Sequence, residues 1–292
     1  MLASRALSIS LNICLLFAVS LGHVQAEDSD PAEQTKTTEK KLPPWRRYGD
    51  EAVAKNRLSS AKSRTTLFKR IEQPVLIRQQ SVREDQIGAV YMWIDDQKRP
   101  AAIVDAFWGP EGPSNQFYFG QEFHSLYGEG IVGQLANGDR WQTGPGLKWK
   151  LIPNQNKKPK STKLMLLQTR KITAQLRAHG IDWRRGDQKQ PYRVLRQPLY
   201  SYEVDGLPKG EQTMGCVFAI CLGTDPEIIY SIEARTDTKG KTQWYESFAE
   251  LSDMRLFVER GGETIWSRPS TSFSPLGPHT VIMDRNVTLP EI

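Results

Sequence analysis

Glu122 and His124, within Gln121-Glu122-Phe123-His124-Ser125, have the types and the spacing for acid–base chemistry. Side chains alternate along a strand, so Phe117, Phe119, Phe123 and Ser125 share one face while Tyr118, Glu122 and His124 share the other. The aromatic face is the expected core. On the opposite face a carboxylate stands beside an imidazole that it can orient for proton transfer. A solvated pair without a chemical role has the same spacing. No Gly-x-Ser-x-Gly elbow, His-Glu-x-x-His pair or Cys-x-x-Cys pair accompanies them. Beyond residue 26 the histidines are His124, His179 and His279, so a multi-histidine metal site is not expected and no cofactor is predicted. Asp225-Pro226-Glu227, after Gly223-Thr224, reads as a turn between apolar strands rather than as a cation loop.

A second candidate is electrostatic. Residues 157–196 carry twelve Lys and Arg against only Asp182 and Asp187. Lys163, Arg170, Arg177, Arg184 and Arg185 are the candidate ligand-binding residues of a surface for an anionic polymer. Trp149, Trp183 and Tyr192 lie near them in sequence and have rings that stack on sugars or bases. A solvated helix face and loop is the plainer account. No nucleic-acid motif occurs, which leaves an anionic polysaccharide or an envelope component as the expected partner.

The elements that must position these residues follow from local pattern. Arg5, the apolar run Ala6–Leu21 and the small-residue exit Val24-Gln25-Ala26 describe a secretory leader over 1–26, cleaved after Ala26. The expected location is therefore extracytoplasmic, with no membrane span remaining after cleavage. Residues 27–44 are polar, end in Pro-Pro and read as a disordered spacer. A sparse apolar pattern over Asp50–Glu72 suggests a helix. Ser161–His179 is the clearer one, with Met165, Thr169, Ile172 and Leu176 on one face, Ser161 as N-cap and Gly180 as stop.

Between and after these helices the chain is strand-like. Gly88–Ile94, Ala101–Trp108 and Gln116–Leu126 form one series, followed by a hairpin on Asn137-Gly138. Arg193–Glu203, Met214–Leu222, Ile228–Ala234, Gln243–Leu251, Met254–Glu259 and Glu263–Ser267 form another. The segment 269–292, rich in Pro and Ser, reads as an irregular tail. The fold class expected is α+β, mostly antiparallel meanders with one packing helix per half. Gly88-Ala89-Val90-Tyr91 resembles Gly215-Cys216-Val217-Phe218, and Phe123-His124-Ser125-Leu126 resembles Phe248-Ala249-Glu250-Leu251. These echoes suggest one domain, 45–268, made of two pseudo-repeats, 45–153 and 159–268. The helix would cover one face of the sheet and leave the other as its working surface.

Composition is that of an ordinary globule: 292 residues, 38% hydrophobic, 25% charged, formal charge +6. Of three cysteines, Cys14 leaves with the leader. Cys216 and Cys221, five steps apart on one apolar strand, would sit ~16 Å apart on opposite faces, beyond the ~4.4–6.8 Å a disulfide needs. Both are expected to be core residues.

Gln121–Leu126, Trp141-Gln142-Thr143-Gly144-Pro145-Gly146, Arg196–Tyr202 and Gly223–Glu227 with Ile232–Arg235 together resemble a family of secreted proteins from planctomycete bacteria. The likeness runs from about Val75 to Trp266. It implies a bacterial, extracytoplasmic setting and one coherent fold, and it brings no activity with it. The function expected is a non-catalytic exported binding or envelope-associated module. The alternatives are a hydrolase using Glu122 and His124, which needs a concave pocket, and a structural component of the envelope, which needs a large exposed apolar patch.

Overall fold

The computed structural model describes residues 42–80, 86–111, 116–134, 138, 140–270 and 277–287. The expected leader, most of the spacer and Asn137 of the expected hairpin turn lie outside the described residues. In chain order the first elements are α1 (Pro44–Ala54), β1 (Arg57–Ser60), β2 (Lys69–Arg70), β3 (Leu76–Gln80) and β4 (Gln86–Ile94). They are followed by β5 (Pro100–Pro110), β6 (Phe117–Ser125), β7 (Ile131–Gln134), β8 (Arg140–Gln142) and the short β9 (Lys150–Leu151). The second series comprises α2 (Thr162–Thr173), β10 (Leu176–Asp182), a 3-10 turn at Trp183–Arg185, β11 (Gln188–Val194) and β12 (Tyr200–Glu203). It continues with β13 (Gln212–Leu222), β14 (Asp225–Thr236), β15 (Thr242–Glu250), β16 (Arg255–Arg260) and β17 (Glu263–Arg268). β18 (His279–Val287) ends the described chain.

The architecture is α+β and the described ladders are antiparallel. One sheet has the order β18-β6-β5-β4-β2, with β3 also on β4. A second has the order β17-β16-β10-β11-β13-β14-β15-β9, with β12 also on β13. β1, β7 and β8 form a third, smaller sheet.

Strand alternation sorts the long central strands into layers. Tyr91, Trp93, Val104, Trp108, Phe119 and Phe123 pack with Val53 of α1 on one face of the first sheet. Cys216, Phe218, Ile220, Tyr230 and Ile232 pack with Met165 and Ile172 of α2 on one face of the second. The intervening residues, Val90, Met92 and Ile103 of the first sheet and Val217, Ala219, Cys221 and Ile229 of the second, meet in a shared core. The layer order is thus helix, sheet, sheet, helix. Each central strand is buried on both faces, which is why β5 and β13 read as almost unbroken apolar runs.

This arrangement corrects one expectation about the site. The sheet face opposite the helix is not an open working surface, because the other sheet covers it. The Phe stripe points inward as expected, with Phe119 and Phe123 buried and Phe117 partly so. Cys216 and Cys221 are buried free thiols in different cores, as strand alternation requires.

Three boundaries differ from the sequence reading. The first helix is Pro44–Ala54, not Asp50–Glu72. Pro44 suits the first helical turn, where its missing N–H costs nothing, and Arg57 onward pairs with β7. α2 begins where expected, with Ser161 Oγ accepting from the Leu164 N–H, but it ends at Thr173. Leu176, the next inward position of the helical pattern, instead opens β10 opposite Arg260. A residue buried in either conformation could not mark the change, and Gly180 lies inside the strand rather than at a helix end. The segment expected to be an irregular tail carries β18, which pairs with β6 from His279↔His124 to Val287↔Phe117.

Candidate functional site

His124 and Glu122 point away from the Phe stripe into a cavity of about 400 Å³. Their neighbours are set by register: Asp105 lies opposite Glu122 and Ile103 opposite His124 on β5, while His279 lies opposite His124 on β18. His124 Nε2 is 3.5 Å from Glu122 Oε2. The His124 side chain is only 2% exposed, and neither ring nitrogen has a hydrogen-bond partner among the described residues. Burial lowers its pKa against the opposing pull of Glu122, so the ring is neutral at pH 7. Its ring stacks on that of His279, with centroids 5.4 Å apart.

A glycine makes the centre of the cavity wall possible. Arg78 of β3 pairs with Gly88 of β4, and a Cβ at Gly88 would meet Arg78 Nε at 3.2 Å and the Ala106 carbonyl at 2.7 Å. With hydrogen there, the guanidinium lies across β4 and reaches Asp105 of β5. Nε donates to Oδ1 at 3.1 Å, and Nη2 is 2.9 Å from Oδ2. Nη1 is 3.1 Å from Asp225 Oδ1, at the start of β14 in the other sheet. Burial alone would lower the Arg78 pKa, but Asp105 and Asp225 outweigh it and raise it. Asp105 is pushed up to about 6 by burial, against the pull of Arg78.

The far side of His279 is fixed just as firmly. Its Nδ1 is 3.1 Å from Glu250 Oε1. Arg268 also binds Glu250, through Nε and through Nη2, the latter at 3.3 Å. Burial pushes the Glu250 carboxyl up, but the bonds from His279 and Arg268 hold it below its usual range. Gln86, Asp182, Arg185, Glu227, Ser252 and Asp253 add to the polar lining. Among the described residues, no group of three or more His, Cys, Asp or Glu side chains is arranged to hold a metal ion.

The basic candidates do not share one face. Lys163 and Arg170 are exposed on α2, where Arg170 Nη2 donates to Gln197 Oε1 at 3.2 Å. Arg177 lies on β10 and donates to the carbonyls of Ala174 and Leu176, closing the end of the helix. Arg184 and Arg185 lie in the 3-10 turn. Arg185 lines the cavity, with Nε 3.8 Å from Asp182 Oδ2. Of the nearby aromatics, Trp183 is exposed, Tyr192 is buried and Trp149 is partly buried.

Sequence reasoning identified Glu122 and His124 but missed Arg78, Asp105, Asp225, Glu227 and His279. One signal was present: Asp105 is the only charged residue in Ala101–Trp108, and a carboxylate inside a two-faced apolar strand must find a cation. Asp225-Pro226-Glu227 is not the turn itself. Gly223-Thr224 turns, and Asp225 already pairs with Leu222. Comparisons with protein-family models, curated proteins and solved structures give no match.

Proposed function

We propose that this chain is a non-catalytic binding module, working outside the cytoplasm, whose ligand is a small organic cation held in the cavity between the two sheets. The observation that supports it best is His124, a polar side chain buried at the cavity wall with neither nitrogen hydrogen-bonded among the described residues, Nε2 standing 3.5 Å from Glu122 Oε2. A buried group of that kind costs ~1–3 kcal/mol unless something satisfies it. The charge of the lining favours a cation. Asp105, Glu122, Asp182, Asp225, Glu227 and Asp253 line the cavity together with Arg78 and Arg185. An amine or guanidine would meet carboxylates on one side and the neutral imidazole on the other.

Titration calorimetry with agmatine, which carries both groups, tests the reading. Binding at pH 7.5 that weakens at least tenfold in Glu122→Gln and His124→Leu supports it. Absence of binding at millimolar agmatine, or full retention by both variants, removes it.

The hydrolase reading keeps one favourable observation: Glu122 and His124 are 3.5 Å apart inside a concave site, not on a convex strand. Hydrolysis of p-nitrophenyl acetate lost in His124→Gln would favour it over simple binding.

We also propose that the domain arose by duplication of one helix-and-meander unit. The pairings β1–β7–β8 and β10–β16–β17 correspond. So do β3–β4–β5–β6 and β12–β13–β14–β15. Register supports it more closely than order. Leu76↔Val90 matches Tyr200↔Val217, and the shifts at Trp93/Ile94 and Ile220/Cys221 fall at aligned residues. Expressing 42–153 and 154–287 separately tests it: assembly of the two pieces into a folded whole is expected, and failure of both to form any sheet counts against it.

A further inference from the structure

The other end of the sheet interface holds a cleft of about 530 Å³ with a different chemistry. Under the proposed duplication, Leu126, Tyr202 and Glu233 stand there where Leu251, Arg78 and Phe107 stand at the first cavity. Its central group is Arg235. The guanidinium carbon lies 4.4 Å from the ring centroid of Tyr245 and 4.9 Å from that of Trp149, so two aromatic faces fix its plane. Glu233 is buried and fully engaged: Oε2 accepts from Arg235 Nε at 2.6 Å, and Oε1 accepts from the Tyr202 hydroxyl at 2.8 Å. Those are the contacts that orient the arginine. Both Nη groups of Arg235 have no hydrogen bond among the described residues, and its side chain is 37% exposed.

Arg99 lines the same cleft, and among the described residues its guanidinium spends only Nη1, on Gln97 Oε1 at 2.6 Å. Glu233 pairs with Arg235 through Nε alone, and the other acids of the cleft, Glu211 and Asp237, make no ion pair with either arginine among the described residues. Asp237 Oδ1 accepts the backbone N–H groups of Lys239 and Lys241 in its own turn, and Glu211 is exposed. A planar fork held by aromatic stacking and by one side-on carboxylate is prepared for bidentate contact with a second carboxylate. Tyr127 and Trp149 add ring surface to the walls, suited to the C–H faces of a pyranose.

We propose that this cleft binds an acidic sugar, with Arg235 clamping the carboxylate of a hexuronic acid residue. The proposal is independent of the cation-binding cavity, because none of its residues line that cavity. It also gives an anionic glycan a shaped site, in place of the dispersed basic residues of 157–196.

The test is calorimetry of the full chain with D-glucuronate, using D-glucose as the uncharged ring and acetate as the ringless carboxylate. Glucuronate should bind at least tenfold more tightly than either control. Arg235→Lys, which keeps the charge but loses the fork, should weaken it at least fivefold, and Tyr245→Leu should also weaken it. His124→Leu, in the other cavity, should leave it unchanged, and circular dichroism identifies any variant that has lost its fold. Equal binding of glucose or acetate, no binding of glucuronate at millimolar concentration, or full retention by a folded Arg235→Lys protein would overturn the proposal.

Discussion

Arg78 Nη1 lies 3.1 Å from Asp225 Oδ1, so one guanidinium joins β3 of the first sheet to β14 of the second. The same side chain also holds Asp105 within its own sheet. Both ends of this contact are well shielded, with Arg78 4% and Asp225 13% exposed. A charge placed there organises the cavity and commits the two layers to one relative position.

Removing that charge should therefore be costly. Arg78→Met leaves Asp105 buried without its cation, and breaking a buried pair in this way costs ~3–5 kcal/mol. The double variant Arg78→Met/Asp105→Leu should recover much of the loss, since the more deeply buried of the two carboxylates beside Arg78 is then removed with it. Urea midpoints of the two variants and the parent check both statements. Equal midpoints for the single and double variants would mean that the pair is not coupled.

The Asp105 carboxyl predicts a pH effect of definite sign. Its folded value of about 6 exceeds its ordinary 3.8, so the folded state holds this proton more tightly than the unfolded chain. Stability from this group is highest at low pH and declines as pH rises toward about 6, levelling off above. His124 acts oppositely, because burial makes the folded state shed its proton sooner. The parent's urea midpoint relative to that of Asp105→Asn should therefore fall between pH 4 and 6. Agmatine affinity should rise over the same interval as the cavity gains negative charge.

His124 should separate stability from binding. Its nitrogens make no hydrogen bond among the described residues, so Leu, which fills much of the same space, gives up only the 3.5 Å approach to Glu122. His124→Leu is expected to melt at or above the parent temperature while agmatine binding falls at least tenfold. Differential scanning calorimetry beside titration would show it. A large drop in melting temperature would assign the imidazole a structural role instead.

Gly88 should tolerate no side chain. A methyl group there meets the Ala106 carbonyl at 2.7 Å, a backbone atom that cannot swing away. Gly88→Ala should cost ~1–3 kcal/mol, as overpacking of a tight interior does. It should also weaken agmatine binding by displacing Arg78. Chemical denaturation together with calorimetry measures both.

Much of this fold is legible in the residues, and the reason lies in β-branched and aromatic density. β4, β5, β6, β13, β14 and β15 all overlap runs that could form little else. Leu176 was not legible, because its burial fits both the end of a helix and the start of a strand. β18 was obscured by the prolines and serines ahead of it, and with it went His279. The site was half visible. Strand alternation placed Glu122 and His124 side by side, but their surroundings come from β3, β14 and β18, with His279 lying 155 residues from His124 along the chain. Only the packing of two sheets supplies such partners, and local pattern carries no record of it.

The outermost long strands of the two meanders, β6 and β15, are each shielded by an added strand, β18 over the first and β9 over the second. An unshielded row of backbone donors and acceptors is a template on which a neighbouring molecule can dock edge to edge and propagate. β18 therefore acts as a sealing strip as well as the carrier of an imidazole. A proteolytic cut that released it would open a sticky flank and strip the cavity of His279 in one event, so loss of binding and the onset of self-association should share a single trigger.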